Sequence, residues 1–551
     1  MRNPSVVRGL RDVVTGTAMA LLAACGGKDT TQPLPVSDSV SLAATEYALL
    51  SGSQASGRVR FPAAGAPGAQ YLVVGQFATG SPGVTGTYRM GSAAVSAPAA
   101  LLANRVFRSA DAPTRFHNAI RRWDADLVRQ ARAAGAPMAA APPPPAPAPP
   151  PTVGARRTFK VCASIDATGC ATFANVPATA SYVGAHAAIF VDDSAPAGGL
   201  SAADIAQIGA QFDNDLYPID VNAFGIESDV DANGVVIVLL TKTVNGLVAK
   251  PECETSFIVG FFLGADIFPG TSAQYNNGEV FYGLLPEPSP PATRCAYSVS
   301  SVKRLLPSTF IHEFQHMISF NQKVLLRNGD TEVLWLNEAL SHIAEELGGL
   351  HYDSLNNATA ASQFLVGNLY DAFLYLRNPN EFALVTESST GTLEERGGEW
   401  LFLRYLADRF GAGILKQLVA TSDLGAANVV ARTGTPFATL LGRWALAVYV
   451  TDLASFAAPP ALTYSTWRFR TTYASLHSQD PTNFPLAYPL TPSAQTNAAF
   501  SLTGPMNSGS GTYVLITQGA SAAGFEVTFR ASNGSAFPAS AGAQLAVVRI
   551  R

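Results

Sequence analysis

Apolar residues occur in short β-type runs at both ends of the chain. Residues 39–105 contain runs such as Arg58-Val59-Arg60-Phe61, separated by Gly- and Pro-rich turns. Residues 489–551 show the same texture, with β-type runs at 512–516 and 525–529. We therefore predict a small N-terminal β domain over 39–105 and a C-terminal β-sandwich domain over 489–551.

The middle of the chain changes from strand patterns to helical patterns. Strands are predicted at 186–191, 235–240 and 279–282, and the pattern is mainly helical from 306 to about 449. Strands followed by helices indicate an α+β domain, which we assign to residues 153–488.

Residues 106–152 form the connection to this domain. Residues 111–135 have apolar positions at helical spacing, and 136–151 are almost only Ala and Pro, which cannot build a core. We predict a helix followed by a Pro-rich linker. The sequence leaves open whether this region is an inhibitory segment or a spacer.

The charge composition of the chain indicates which classes of molecule it is not expected to bind. The chain has 551 residues, 14% of them charged, and a net charge of −4. No long basic run follows the first residues, so a nucleic acid is not an expected partner.

The first residues are typical of an export signal. Arg2, Arg8 and Arg11 precede an apolar run over 13–24 that is too short to span a bilayer, and small residues lead into Cys25. We predict a bacterial lipoprotein signal peptide over 1–24, lipidation of Cys25 and a tether over 25–38. The protein is then an envelope lipoprotein of the outer membrane or cell surface that contacts membrane only through its lipid anchor. An ordinary secretory signal, which gives a secreted protein, is the alternative.

Four cysteines remain in the mature chain. Disulfides are the default in an exported protein, and we favour the sequential pairs Cys162–Cys170 and Cys253–Cys295. A four-cysteine zinc site is disfavoured because no CxxC spacing occurs.

An HExxH motif carries the clearest chemistry. His312 and His316 are four residues apart and share one helix face, while Glu313 lies beside the first histidine, where it can act as general base. A catalytic Zn²⁺ needs a third protein ligand and an open position. Glu338, in a second helical run, is the favoured third ligand, and His342, one turn later, is its competitor.

The neighbours of Glu338 complete the predicted zinc site. Asn337 precedes it, and Glu345, on the same helical stripe, can hold the free N–H of a ligand histidine. If Glu338 is the ligand, His342 orients a ligand or binds the substrate.

A second motif is weaker. Asp229, Asp231 and Asn233 match the first half of a calcium-binding loop, but its twelfth position is Leu240 instead of a glutamate. A polar turn that enters a strand is the favoured interpretation, and a structural Ca²⁺ is the alternative.

The segments HEFQHMISF (312–320) and WLNEALSHIAEEL (335–347) resemble the hyicolysin-type zinc metallopeptidases, gluzincins distantly related to thermolysin. The similarity runs from about 156 to 485. It implies a thermolysin-like domain, zinc held by His312, His316 and Glu338, Glu313 as base, and endopeptidase activity on proteins or peptides.

Two further roles are hypotheses. Tyr405 and then His342 are the candidate donors to the substrate oxyanion, and the substrate backbone is expected to pair with an edge strand at 280–282. A catalytically inactive envelope binding or adhesion lipoprotein is the competing function. An aminopeptidase is ranked below both, because no acidic motif beside the zinc helix clearly supplies a site for a free amine.

Overall fold

The computed structural model describes residues 39–92, 111–135, 149–166, 169–268, 274–386 and 391–551. The predicted signal peptide, Cys25 and the tether lie outside these residues. None of the helices in the described ranges has the length and hydropathy needed to cross a membrane.

The chain has the α+β composition that its pattern predicts. The strands are β1 Tyr47–Ser51, β2 Arg58–Phe61, β3 Ala69–Phe77, β4 Thr85–Gly91, β5 Arg156–Asp166, β6 Gly169–Val183, β7 Ala187–Asp192, β8 Val236–Leu240, β9 Gly260–Phe262, β10 Val280–Gly283, β11 Ser493–Thr496, β12 Ser501–Asn507, β13 Gly511–Gln518, β14 Phe525–Ala531 and β15 Ala543–Arg549. The helices are α1 Ser53–Ser56, α2 Ala112–Ala133, α3 Ala202–Gln211, α4 Tyr217–Phe224, α5 Lys242–Asn245, α6 Val299–Phe320, α7 Leu334–Ser354, α8 Ala358–Arg377, α9 Leu393–Phe410, α10 Gly413–Val419, α11 Gly425–Thr433, α12 Phe437–Val450 and α13 Phe469–Gln479.

Strands from the two ends of the chain form two shared sheets. The order is β1-β15-β3-β13-β11 in one sheet and β12-β4-β14-β2 in the other. Val73 of β3 is paired on both sides with C-terminal strands, opposite Val547 and Val514. The expectation of two separate terminal β domains was therefore wrong. Neither group of strands covers its own apolar face, and local alternation does not say which strands pair.

The middle of the chain contains a six-stranded mixed sheet with the order β5-β6-β7-β8-β10-β9. β8 pairs in parallel with both β7 and β10, and all five of its residues are buried. This position explains its continuous apolar run. β9 is one of the two edge strands and pairs antiparallel with β10.

Helices α6 and α7 are joined by a turn that is fixed by a buried ion pair. Lys323 Nζ lies 2.8 Å from Glu332 Oε2, and both side chains are inaccessible to solvent. Glu332 also accepts a hydrogen bond from the Gly425 N–H at 2.7 Å. The turn therefore reverses the direction of the chain, and α7 packs against α6.

Helix α6 begins earlier than the sequence predicts. Ser298 caps it by accepting a hydrogen bond from Ser301 N, so Pro307 lies inside the helix. The predicted helix at 111–135 is confirmed as α2, which Asp111 caps by accepting from Thr114 N.

Both predicted disulfide pairs are joined in the structure. The Cα atoms are 5.7 Å apart in Cys162–Cys170 and 5.9 Å apart in Cys253–Cys295. The first bond closes the β5–β6 hairpin.

Candidate metal centre

The two histidines of the HExxH motif lie on the buried face of α6. Their Nε2 atoms are 3.2 Å apart. Two ligands of a tetrahedral zinc ion lie about 3.4 Å apart, since each is about 2.1 Å from the metal. The spacing of His312 and His316 therefore matches a shared ion.

Glu338 of α7 faces these two nitrogens. Its side chain is 1% exposed, and its carboxylate oxygens lie 3.7 Å from His312 Nε2 and 3.8 Å from His316 Nε2. Within the described residues, neither oxygen takes part in a hydrogen bond. A buried carboxylate without hydrogen bonds is costly, so its oxygens fit a metal ion that the two histidines would share.

The charges around Glu338 favour its ionised form. Burial raises the pKa of its carboxyl, but the Arg396 guanidinium, whose Nη1 lies 3.2 Å away, and the two imidazoles hold the pKa well below its usual value. Burial and the Arg121 charge lower the pKa of His316 well below 6.5. An ionised carboxylate and a neutral imidazole are the forms that bind a metal.

The outer nitrogens of the two histidines are held by residues of α7. Glu345 Oε1 lies 2.6 Å from His312 Nδ1, and Asn337 Oδ1 lies 3.0 Å from His316 Nδ1. Both acceptors place the proton on Nδ1 and leave Nε2 free for a metal. The structure thus puts Glu345 and Asn337 where the sequence analysis expects them.

Glu313 is buried behind this group and reaches the edge of the sheet. Its Oε2 accepts a hydrogen bond from the Phe262 N–H at 2.8 Å. Burial raises the pKa of its carboxyl, and the nearby His312 opposes this. Glu313 is therefore next to both the candidate ligand His312 and strand β9.

His342 lies beside the group without joining the set of His312, His316 and Glu338. It forms a second cluster with His312 and Glu345, in which the three candidate ligand atoms lie within 4.8 Å of one another. Its Nδ1 lies 2.8 Å from Asn368 Oδ1, and Asn368 Nδ2 donates to the His342 carbonyl. In the described residues its buried Nε2 has no hydrogen-bond partner.

Tyr405 is not at this site. Its hydroxyl donates to the Ala461 carbonyl at 2.8 Å, and its electrostatic neighbours are Arg409, Arg443 and Tyr47. The expectation that Tyr405 stabilises an oxyanion is therefore wrong. Tyr405 is one of the large buried side chains by which α9 packs into the core. A helical pattern in the sequence does not distinguish this packing role from a catalytic one.

The edge strand beside the centre differs from the expected one. β10 lies between β8 and β9, so residues 280–282 are not available to an added strand. The edge strand on this side of the sheet is β9, whose Phe262 contacts Glu313. Sequence reasoning missed β9 because a three-residue strand carries no periodic signal.

Arg396 and His117 are two further residues near the centre that sequence reasoning missed. Arg396 comes from α9, which begins with a capping box between Thr392 and Glu395, and no local signal connects it with Glu338. His117 of α2 is half-buried, and the charges of Glu338 and His312 act on it.

The predicted calcium-loop residues lie elsewhere, in the loop before β8. Asp229 and Asp231 form a cluster there with Glu279. Asn233 belongs to the same loop and donates its side-chain amide to Asp231 Oδ2 at 2.9 Å.

Comparison with known proteins gives one partial relationship. No model of a known protein family matches the chain. Over 143 residues the chain is 32% identical to the neutral metalloprotease ShpI of Staphylococcus hyicus. The matched segment covers 25% of this chain and 30% of that relative. The chain is thus similar, over a minor part of its length, to a neutral metalloprotease, which together with the His and Glu cluster supports a metal-dependent protease.

Proposed function

We propose that this chain is an exported zinc endopeptidase of hyicolysin type, with a thermolysin-like catalytic domain over about 153–488. The buried carboxylate of Glu338 carries the proposal. It has no hydrogen bond in the described residues and faces two imidazole nitrogens that are 3.2 Å apart. Its ion pair with Arg396 leaves both oxygens without a hydrogen bond among the described residues, and a metal ion shared with the two imidazoles would satisfy them.

His312, His316 and Glu338 would hold the metal, and each is kept in the required state by its neighbours. Glu345 and Asn337 orient the two imidazoles, and Arg396 keeps Glu338 ionised. When bound, zinc supplies Lewis acidity that lowers the pKa of a water and polarises the scissile carbonyl.

Glu313 then moves the protons. Its burial raises the affinity of the carboxylate for a proton, which suits a group that accepts one from the attacking water and donates it to the leaving amine. The N–H of Phe262 holds Oε2, which leaves Oε1 for this exchange.

His342 is the remaining candidate for a donor to the developing oxyanion. Because its Nδ1 donates to Asn368, its free Nε2 carries a proton only when the imidazole is charged. The adjacent Glu345, whose Oε1 lies 3.3 Å from Nδ1, is a second acceptor at that nitrogen.

The substrate class we propose is a protein or peptide in extended form, bound beside β9 and outside the cytoplasm. The lipoprotein anchor at Cys25 remains part of this proposal. The alternative, an inactive binding or adhesion lipoprotein, does not explain why the intact Glu313 is buried next to the ligands.

The test is hydrolysis of casein by the purified mature protein and by Glu313→Gln, with zinc content measured on both. Loss of cleavage with one zinc retained would establish the peptidase and the role of Glu313. Wild-type protein without zinc would refute the proposal, and zinc without cleavage in any form of the protein would favour the binding protein.

A further inference from the structure

A second cluster of carboxylates lies at the amino ends of two neighbouring parallel strands. The loop 229–234 leads into β8, and Glu279 directly precedes β10. Ile237 N donates to the Glu279 carbonyl at 2.7 Å, so the start of β10 is fixed beside this loop. Asp229, Asp231 and Glu279 each offer an oxygen within 4.8 Å of the others.

The hydrogen bonds in this cluster leave particular oxygens free. Asp229 Oδ1 accepts from the N–H groups of Asn233 and Gly234, which bends the loop. Glu279 Oε1 accepts from Ser228 Oγ at 2.6 Å and from Val230 N at 2.9 Å.

The opposite oxygen of Glu279 is the unexplained atom. Glu279 is 1% exposed, and in the described part of the chain its Oε2 has no hydrogen-bond partner. Asp231 Oδ1 is also buried and likewise has no hydrogen-bond partner among the described residues. Arg157 Nη1, 3.7 Å from Asp231 Oδ2, supplies one positive charge for three carboxylates.

We propose that Asp229, Asp231 and Glu279 bind a structural calcium ion. Hard oxygen ligands are those that Ca²⁺ takes, and two oxygens on one ion lie at most about 5 Å apart. Glu279 supplies from the adjacent strand the carboxylate that the loop lacks at Leu240. The ion would join β8 to β10, and β10 pairs with β9, whose Phe262 contacts the catalytic base.

The test uses zinc-loaded protein dialysed against calcium-free buffer without chelator. Elemental analysis and thermal unfolding, with and without 1–2 mM CaCl₂, are compared for wild type, Glu279→Gln, Asp231→Asn and the exposed control Glu254→Gln. One calcium per chain, or a rise of several degrees in the unfolding temperature, is expected for wild type and the control and is absent in the two cluster variants.

Wild-type protein with neither bound calcium nor a shift would overturn the proposal. An equal shift with MgCl₂, or an undiminished shift in both cluster variants, would overturn the calcium assignment. Asp231→Asn lies in a half-buried loop, so it serves if Glu279→Gln does not fold.

Helix α2 carries an independent inference, because it lies across the edge strand beside the metal centre. Arg121 donates to the Phe262 carbonyl, and Asp124 accepts from the Gly264 N–H at 2.9 Å. Both charged side chains are buried and form an ion pair at 3.5 Å. The Phe116 ring packs against the Phe261 ring, with centroids 5.0 Å apart.

These contacts use the groups that a peptide would need. An extended substrate adds to a sheet edge through the backbone N–H and C=O of the edge strand. The N–H of Phe262 is held by Glu313 and its C=O by Arg121. One turn before Arg121, His117 lies within range of the charges of Glu338 and His312.

The geometry points to α2 as an inhibitory segment that occupies the position of the substrate strand. This inference rests on the proposed peptidase function, and it decides between the inhibitor and the spacer. The further ion pairs Arg115–Glu252 and Arg132–Asp330 anchor both ends of the helix on the domain.

The test measures kcat/KM on a quenched fluorescent peptide for wild type, Arg121→Ala/Asp124→Ala and the control Arg129→Ala. Arg129 is exposed and pairs with Asp126 of its own helix. The double variant removes both buried charges together and is expected to raise kcat/KM at least tenfold, mainly through KM, with zinc content unchanged. The control is expected to match wild type.

A second form carries a site for a sequence-specific protease inserted within residues 136–148, which serves if the double variant does not fold. Cleavage there is expected to raise activity as well. If a folded double variant and the cleaved form are no more active than an already active wild type, α2 is a spacer and the peptidase function stands. If no form cleaves the peptide while all bind zinc, the proposed function itself fails.

Discussion

Glu345 offers a quantitative test of the proposed metal centre, because it contacts a proposed metal ligand without being one of the three. Its Oε1 lies 2.6 Å from His312 Nδ1 and 3.3 Å from His342 Nδ1. In Glu345→Gln the acceptor oxygen stays but its charge is lost. Removal of such a partner lowers metal affinity about 10- to 100-fold, or about 1.4–2.7 kcal/mol.

The assay is competition for zinc with a chromophoric chelator, and the control is the next residue of the helix. Glu346 is buried more deeply than Glu345, accepts from Trp400 and pairs with Arg404, away from the proposed metal ligands. Glu346→Gln is expected to lower the unfolding temperature and to leave zinc affinity within about twofold of wild type. Equal losses of affinity in both variants, or none in Glu345→Gln, would refute the reasoning.

Three further predictions concern the packing at Gly397, the pH dependence of stability and the role of Tyr405. Gly397→Ala is expected to destabilise the protein by more than about 3 kcal/mol in denaturant unfolding, because its Cβ would lie 2.2 Å from the Asp371 carbonyl carbon. The control Gly367→Ala has open space around its Cβ and is expected to stabilise the protein by up to about 1 kcal/mol. Burial raises the pKa of Asp266 from 3.8 to about 7, so the folded state binds the proton more tightly than the unfolded state does. The free energy of unfolding is therefore expected to fall as the pH rises from about 4 to 7. Asp266→Asn is expected to flatten this decline, measured as unfolding temperature against pH. Tyr405→Phe is expected to keep kcat within about twofold of wild type in the peptide assay, and a loss of tenfold or more would return Tyr405 to the mechanism.

Local sequence carries the parts of the site that lie within one turn of helix. The spacing of His312 and His316 follows from helical periodicity, and the loop before Glu338 is long enough for a second helix to face the first. Asn337 and Glu345 follow from the same helix. These predictions need no knowledge of distant strands.

The other parts depend on contacts between distant segments. Arg396 reaches Glu338 because Gly397 lets α9 approach α8 closely, and no pattern near Arg396 reports this. The position of β9 at the sheet edge follows from strand order, which local alternation does not determine. For the same reason the pairing of the two chain ends was not predicted.

In the two shared sheets, the N-terminal strands depend on the C-terminal strands for their pairing. β3 pairs with β15 on one side and β13 on the other, so both of its edges stay open until the C-terminal strands have been synthesised. Open strand edges promote aggregation. A chain truncated near residue 489 would therefore not simply lack one module. Strands β1, β2, β3 and β4 would all lose the strands with which they pair, which makes the truncated protein prone to aggregation.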